Sequence, residues 1–381
     1  MQRTPRAAAA PRVLLRLAFA LLAALSLVAG VAGGLLRAGV APPQGAQDAW
    51  AGQAVAAHAF LLIGTFMGTV IGLERAAAVK KTLAYAGPLA SGLAGLAMLC
   101  GATAVARGLV LGACIAFVAV NLLVVVRQRA AHTVLLVVAA LAWFAGTLLY
   151  ALDAPPGAVV PWWFSFLVLT IAAERLEMTR LMRRREGASR SLYAIFAGML
   201  LGAALSAVSA LWGGVLFGLS LLCLAIWLLG FDIARRTVRA RGLPRYMAVC
   251  LLLGYFWLFV AGAAWVGTAL ALPLRDAALH ALALGFVFSM MLGHAPVILP
   301  ALARVKLLFG RAFYLPLVLL HGSLAVRLVG GHADLGALAS AAAANALSIA
   351  LFAATLAGSA IAWRIKHPSP PQRHHGVTAE H

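Results

Sequence analysis

The chain has 381 residues, of which 64% are apolar and only 10% are charged. A soluble domain carries about 25% charged residues, so this composition excludes a soluble protein and predicts an integral membrane protein. The formal charge of +20 would indicate nucleic-acid binding in a soluble protein. In a membrane protein, however, Lys and Arg concentrate in the cytoplasmic loops, so we expect a lipid bilayer and no nucleic acid as partner.

Charged or Pro/Gly-rich breaks divide the chain into twelve apolar segments. Each segment is close to the ~20 residues that a helix needs to cross a bilayer, and a helix satisfies its own backbone hydrogen bonds in lipid. The sequence therefore predicts an all-α, polytopic transmembrane bundle of about twelve helices. The predicted segments are residues 13–36, 53–73, 84–106, 108–126, 132–152, 161–179, 191–210, 211–231, 246–272, 276–301, 309–329 and 334–363.

The transmembrane domain is expected to occupy residues 13–363, between a short cytoplasmic N-terminus (1–12) and a disordered, Pro-rich cytoplasmic tail (364–381). The first apolar run is about 24 residues long, whereas the core of a signal peptide has about 7–15 residues. We therefore expect this run to be retained as the first transmembrane helix.

The distribution of basic residues supports this division. With the N-terminus in the cytoplasm, all but four of the 30 Lys and Arg residues fall on the cytoplasmic side, as the positive-inside rule requires. With a wrong number of helices, the basic loops would no longer alternate with loops that contain few basic residues. We therefore predict a multi-pass protein of the inner membrane with both termini in the cytoplasm. The opposite end of the bundle is called the outer end. The four exceptions on it are Arg37, Arg107, Arg275 and Arg327.

Four histidines lie within the predicted helices, where ionisable groups are rare and are candidates for function. At 1.5 Å per residue, His58 on helix 2 is expected about 7 Å below the outer boundary, and His280 on helix 10 at a similar depth. His294, also on helix 10, and His321 on helix 11 are expected about 12 and 15 Å above the inner boundary. The depths therefore sort into two pairs, His58 with His280 and His294 with His321.

Neutral imidazole is a common ligand of haem iron and also binds copper. His280 and His294 lie fourteen residues apart and so project from nearly the same side of their helix, about 21 Å apart along its axis. This helix can therefore serve two sites at different depths. The structural alternative is that such histidines form hydrogen bonds between helices, and it applies most strongly to His321.

Two other features each allow two interpretations. Gly64, Gly68 and Gly72 form a stripe on helix 2, which indicates either close helix packing or room for a flat macrocycle. The inner end of helix 6 carries Glu174, Arg175, Glu177 and Arg180, so that an arginine follows a glutamate by three or six residues. This pattern indicates either an interfacial ion-pair face or a site of proton or cation uptake.

The segments that carry the histidines, HAFLLIGTFMGTVIGLERA and LHALALGFVFSMMLGHAPVILPALARVKLLFGRAFYLPLVLLHGSLAVRL, resemble the NnrS family. Its members are twelve-helix bacterial membrane proteins described as containing haem and copper and linked to nitric oxide stress. The histidines on helices 2 and 10 also resemble those of haem–copper oxidase subunit I, where these helices hold a low-spin haem from both faces. The resemblance implies that His58 and His280 are haem ligands, with haem of b type.

The chain departs from the oxidases at one important place. Their copper site is built from histidines on helices 6 and 7, and the corresponding helices of this chain contain no histidine. A terminal oxidase is therefore not expected. No family pattern assigns His294 and His321, which remain candidates for a second haem or for copper.

The expected function is that of a haem protein in nitric oxide or respiratory stress or in electron transfer, with a small gaseous ligand or a redox protein as partner. Two histidine ligands leave no open position on the iron, so whether the protein is an enzyme stays open. Two other functions also remain open. One is a secondary transporter, for which twelve helices is the commonest number. The other is an assembly factor for a respiratory complex, without bound haem.

Overall fold

The computed structural model describes residues 10–41, 49–178, 187–303, 305–331 and 333–367. These residues form helices and their connections, without a strand. Twelve of the helices are long and apolar enough to span a membrane. They are α1 (Leu17–Arg37), α2 (Phe60–Val79), α3 (Thr82–Leu99), α4 (Thr103–Arg127), α5 (Ala131–Ala151), α6 (Pro156–Met178), α7 (Ala188–Leu205), α8 (Ala210–Phe231), α9 (Leu243–Ala269), α10 (Arg275–Pro300), α11 (Arg311–Gly330) and α12 (Leu335–Lys366).

The predicted all-α architecture with twelve spanning helices is confirmed. The weakly marked break between α7 and α8 is real, and the side chain of Ser209 caps α8 by accepting a hydrogen bond from the backbone N–H of Trp212. One break was predicted in the wrong place. α3 ends at Leu99 and α4 begins at Thr103, so Arg107 lies inside a helix and not in a loop.

Some of the predicted segments lie outside the described residues. These are residues 1–9 of the N-terminus, the arginine-rich stretch 179–186 and residues 368–381 of the tail. At the other end of the described range, α12 continues to Lys366. The last helix therefore extends three residues into the segment that the sequence assigned to the tail.

Helices that follow one another in the chain mostly pack side by side, as short connections dictate. The helix pairs α3/α4, α5/α6, α7/α8, α8/α9 and α11/α12 all pack in this way. In addition, α1 packs against α12, and the inner half of α10 contacts α2. α2 and α6 are the two most buried of the twelve helices, and His58 lies two residues before the first residue of α2.

Two helices widen from α-helical to π-helical geometry directly after a histidine. A π-helical stretch at Phe60–Met67 opens α2 just after His58, and another at Ala281–Phe288 follows His280 in α10. π-helical turns are rare and frequently occur at functional sites. The shared departure from regular geometry therefore singles out these two histidines from the other two.

Candidate functional site

A cavity of about 590 Å³ lies at the outer end of the bundle. This volume falls within the ~300–1,000 Å³ typical of small-molecule and cofactor sites. The cavity is bounded mainly by α1, α2, α6, α10 and α12, with single residues from α4, α5 and α11. Its lining is largely apolar and includes the aromatic side chains of Phe60, Phe66, Trp163, Phe164 and Phe288.

His58 lines this cavity and is held by the backbone of α1. Its Nδ1 lies 2.6 Å from the carbonyl oxygen of Gly30. Since a carbonyl oxygen only accepts, Nδ1 carries the hydrogen, and Nε2 is left with its lone pair. Gly34 lies against the ring as well, because a Cβ at this position would stand 2.6 Å from Cε1 of His58.

His280 lines the same cavity and is held by an acidic residue one helical turn earlier. Its Nδ1 lies 3.0 Å from the carbonyl oxygen of Asp276 and 3.0 Å from Oδ1 of the same residue. Asp276 accepts two further hydrogen bonds from Arg327 of α11, with N–O distances of 2.9 and 2.8 Å. A carboxylate or carbonyl behind the ring is the usual means of orienting a metal-ligating histidine.

The two histidines therefore present the same chemistry to one cavity. Each Nδ1 donates to oxygen, and within the described residues neither Nε2 has a hydrogen-bond partner. When both rings are neutral, the arrangement offers two imidazole nitrogens with free lone pairs, which suit haem iron, copper or zinc.

The four basic residues that break the positive-inside pattern also line this cavity. They are Arg37, Arg107, Arg275 and Arg327. The sequence predicted that they lie at the outer end but not that they line one cavity. They do so because α1, α4, α10 and α11 all border the same opening.

Two of these arginines are neutralised by carboxylates. Arg327 pairs with Asp276, and Arg107 donates from Nη1 to Oδ2 of Asp153 at 3.0 Å. This hydrogen bond holds the pKa of the exposed Asp153 carboxyl below its ordinary value. Arg275 and Arg37 form no ion pair with any described carboxylate, so they carry the unbalanced positive charge at the opening.

His321 lies outside the cavity lining, in a chain of hydrogen bonds between α9, α10 and α11. Trp257 donates from Nε1 to Nδ1 of His321 at 2.7 Å. Nε2 of His321 lies 3.3 Å from Oγ of Ser289, which donates to the carbonyl of Cys250 at 2.8 Å. Because Nδ1 accepts, Nε2 carries the hydrogen and donates to Ser289. Both ring nitrogens are therefore used, which fits the structural interpretation of this residue.

His294 faces a different set of neighbours. Its Nδ1 lies 2.7 Å from the carbonyl oxygen of Met290, and its buried Nε2 has no hydrogen-bond partner among the described residues. Ser289 and His294 are about 140° apart around α10, and Ser289 is the residue that meets His321. A second cofactor shared by His294 and His321 stays a prediction, and the hydrogen bonds of His321 argue against it.

The inner end of α6 forms ion pairs with other helices. Nη2 of Arg75 donates to Glu74 at 2.8 Å and to Glu174 at 3.1 Å. Arg175 and Asp232 form a buried pair with N–O distances of 2.9 and 3.0 Å. The ion-pair interpretation of this segment is supported, but the partner residues lie on α2 and at the end of α8. The spacing of charged residues along α6 could not have identified these partners.

The glycine stripe on α2 serves helix packing. A Cβ at Gly68 would stand 2.5 Å from the Trp143 ring on α5, and one at Gly72 would stand 3.2 Å from Pro88 on α3. These glycines therefore bring neighbouring helices close. The glycine that adjoins the cavity is Gly34 on α1, which the sequence interpretation missed because nothing along the chain connects it to His58.

Residues 16–361 match the family described as "Domain of unknown function (DUF8744)". The match covers most of the chain, and the protein therefore belongs to this family. No curated protein and no solved structure matches the chain.

Proposed function

We propose that this member of the DUF8744 family binds a haem in its outer cavity, where Nε2 of His58 and Nε2 of His280 would hold the iron. One observation carries the proposal. Both imidazoles line one cavity, and the Nδ1 of each donates a hydrogen bond to an oxygen atom. The Nε2 of each ring is therefore available as a metal ligand. The NnrS resemblance points to the same two residues.

The number of donors favours haem over a bare metal ion. Within the described residues, no group of three or more His, Cys, Asp or Glu side chains is placed to hold a metal. A protein zinc site uses three or four protein ligands, and copper sites commonly use as many. Haem iron brings four ring nitrogens of its own and needs one or two protein ligands. Two isolated imidazoles are therefore enough for haem and too few for copper alone.

The lining of the cavity also suits an amphipathic, flat cofactor. Aromatic and aliphatic side chains form the walls, and burying apolar surface against them contributes about 25 cal/mol per Å². The charged residues lie at the ends of their helices, with Arg37 as the last residue of α1 and Arg275 as the first of α10. The cavity is thus apolar inside and cationic at its opening.

A bound haem would supply one-electron redox chemistry. The protein's own part is to fix both rings through Gly30 and through the Asp276–Arg327 pair, and to surround the cofactor with apolar side chains. Two histidine ligands favour electron transfer or haem storage over gas binding, since no position on the iron stays open. A role in nitric oxide or respiratory stress rests on the NnrS resemblance, and so does copper as a second metal.

The transporter alternative has weaker support. Many secondary transporters place a pair of interrupted helices at corresponding positions of two repeats. The two π-helical stretches lie in α2 and α10, which are not corresponding positions in two halves of six helices. The irregular helices therefore coincide with the histidines and not with a repeat.

Absorption spectroscopy tests the proposal. The full chain and its variants are purified from membranes in detergent, supplied with haemin, and measured oxidised and reduced. We expect Soret and α-bands of a six-coordinate haem in the wild type, and loss of that spectrum in His58→Ala and in His280→Ala. His294→Ala is the matched control, because this half-buried histidine of α10 does not line the cavity, and it should keep the spectrum. A folded wild type that stays colourless with haemin, or bands that survive both cavity variants, would overturn the proposal.

A further inference from the structure

We infer that Arg37 and Arg275 form a pair of carboxylate-binding groups at the opening of the outer cavity, which makes the cavity selective for a dianionic, otherwise apolar ligand such as a dicarboxylic porphyrin. The inference rests on the proposed function for the identity of the ligand. The role of the two arginines is separate and is tested separately.

The first step is the position of these residues. The positive-inside rule places basic residues at the cytoplasmic end of the bundle, so arginines at the outer end are exceptions to it. If these arginines were scattered over the outer end, they would need no common explanation. All four exceptions instead line a single cavity, although they come from four different helices, so a shared electrostatic role at that cavity explains them together.

The second step is a charge count over the cavity lining. Four arginines contribute four positive charges, and Asp153 and Asp276 contribute two negative charges. His58 and His280 add no charge when they act as metal ligands, because a ligating imidazole is neutral, and Tyr150 is the only other titratable lining residue among those described. The remaining charge is +2, and it belongs to Arg37 and Arg275. A ligand with two carboxylates matches this charge.

The third step is the depth of each arginine relative to one histidine of the cavity. Arg275 precedes His280 by five residues on α10, a rise of about 7.5 Å. Arg37 follows Gly34 by three residues on α1, a rise of about 4.5 Å, and Gly34 contacts the ring of His58. Each arginine therefore stands nearer the outer surface than the histidine on its own side of the cavity.

The fourth step is the chemistry of the guanidinium group. Arginine offers five N–H donors in a fixed plane and pairs with a carboxylate through two parallel hydrogen bonds. Both Arg37 and Arg275 are exposed. Arg37 donates one long hydrogen bond, of 3.5 Å, to the carbonyl oxygen of Val55, and an arriving carboxylate displaces no carboxylate of the described residues from either arginine. A macrocycle whose two carboxylates leave from one edge then places that edge at the opening and its apolar body in the cavity.

Metal-free protoporphyrin IX tests this inference without involving iron ligation. The purified full chain in detergent is titrated with protoporphyrin IX and with its dimethyl ester, and binding is followed by porphyrin fluorescence against empty micelles. We expect the wild type to bind the free acid at least about tenfold more tightly than the diester, because a hydrogen bond to a charged group contributes this much. The double variant Arg37→Gln/Arg275→Gln should lose the preference. Arg245→Gln, an exposed arginine outside the cavity, should keep it.

The outcomes separate the two proposals. If the acid and the diester bind wild type equally, or if the double variant keeps the preference, the arginine pair is wrong, whatever haemin does. A haemin complex that needs His58 and His280 but not the arginines would leave the haem proposal intact. A preference for the acid that needs the arginines, without a six-coordinate haemin spectrum, would retain the dicarboxylate site and reject the haem ligation. His58→Ala should still bind the metal-free acid, which shows that the variant folds.

Discussion

Replacing Gly34 by alanine should displace His58 without altering any charge or polar group. The added Cβ would stand 2.6 Å from Cε1 and 3.0 Å from Nδ1 of the imidazole. Carbon atoms in unstrained contact are about 3.5 Å apart, so the ring has to move by about 1 Å or α1 has to move away from it. Either movement acts directly on the 2.6 Å contact between Nδ1 and the carbonyl oxygen of Gly30.

A displacement of this size is large for a ligand. Functional side chains have to be held within about 0.5 Å of their productive positions, and loss of the group that orients a metal-ligating histidine costs about 10–100-fold in affinity. We therefore expect Gly34→Ala to bind haemin 10–100-fold more weakly, and its Soret band to shift from the six-coordinate to the five-coordinate position. Haemin titration followed at the Soret band measures both quantities.

Gly108→Ala is the matched control, because no atom lies within 4 Å of the added Cβ and the substitution is also within a spanning helix. It should bind haemin as the wild type does. Thermal unfolding of both variants separates local displacement from loss of the fold. Wild-type affinity and an unchanged spectrum in a stably folded Gly34→Ala protein would refute the assignment of His58 as a ligand.

Other contacts should respond in different ways. Asp276→Asn removes the carboxylate that orients the histidine of α10, and haemin affinity should fall about tenfold, as haemin titration would show. Asp232→Asn removes one charge of the buried Arg175–Asp232 pair and should lower the free energy of unfolding by about 3–5 kcal/mol with an unchanged haemin spectrum. Trp257→Phe leaves Nδ1 of His321 without a donor and should cost about 1–3 kcal/mol in denaturant unfolding. A changed Soret band in this last variant would contradict the structural role of His321.

Most of the fold was predictable because lipid imposes a simple length and composition rule on helices. The exception shows the limit of that rule. The turn between α3 and α4 is made by Gly101, whose φ is +77°, within a continuous apolar run. No charged residue marks this turn, whereas Arg107, the nearest charge, lies inside α4 because its side chain reaches the outer surface and pairs with Asp153.

For the candidate site, the sequence could predict only the depth of each histidine along the bundle. Counting residues along helices of known direction matched His58 with His280, and both do line one cavity. The same counting matched His294 with His321, but depth gives no information about the face on which a side chain lies. The neighbours of His321 are Trp257 and Ser289, and such pairings depend on how α9, α10 and α11 rotate against one another. The anchor of His58 is a backbone carbonyl, which any residue type provides and no sequence pattern reveals.

Local rules are most informative where the protein breaks them, because violations collect at functional sites. This chain breaks two independent rules in the same region. Its two π-helical stretches follow His58 and His280, and its outer arginines surround the cavity that these histidines line. Helix packing alone would explain the widened helices, and ion pairing alone would explain the two neutralised arginines. Neither explains Arg37 and Arg275, which break the positive-inside pattern of the sequence and meet no carboxylate among the described residues. The anionic ligand that we propose for the outer cavity would account for these two arginines.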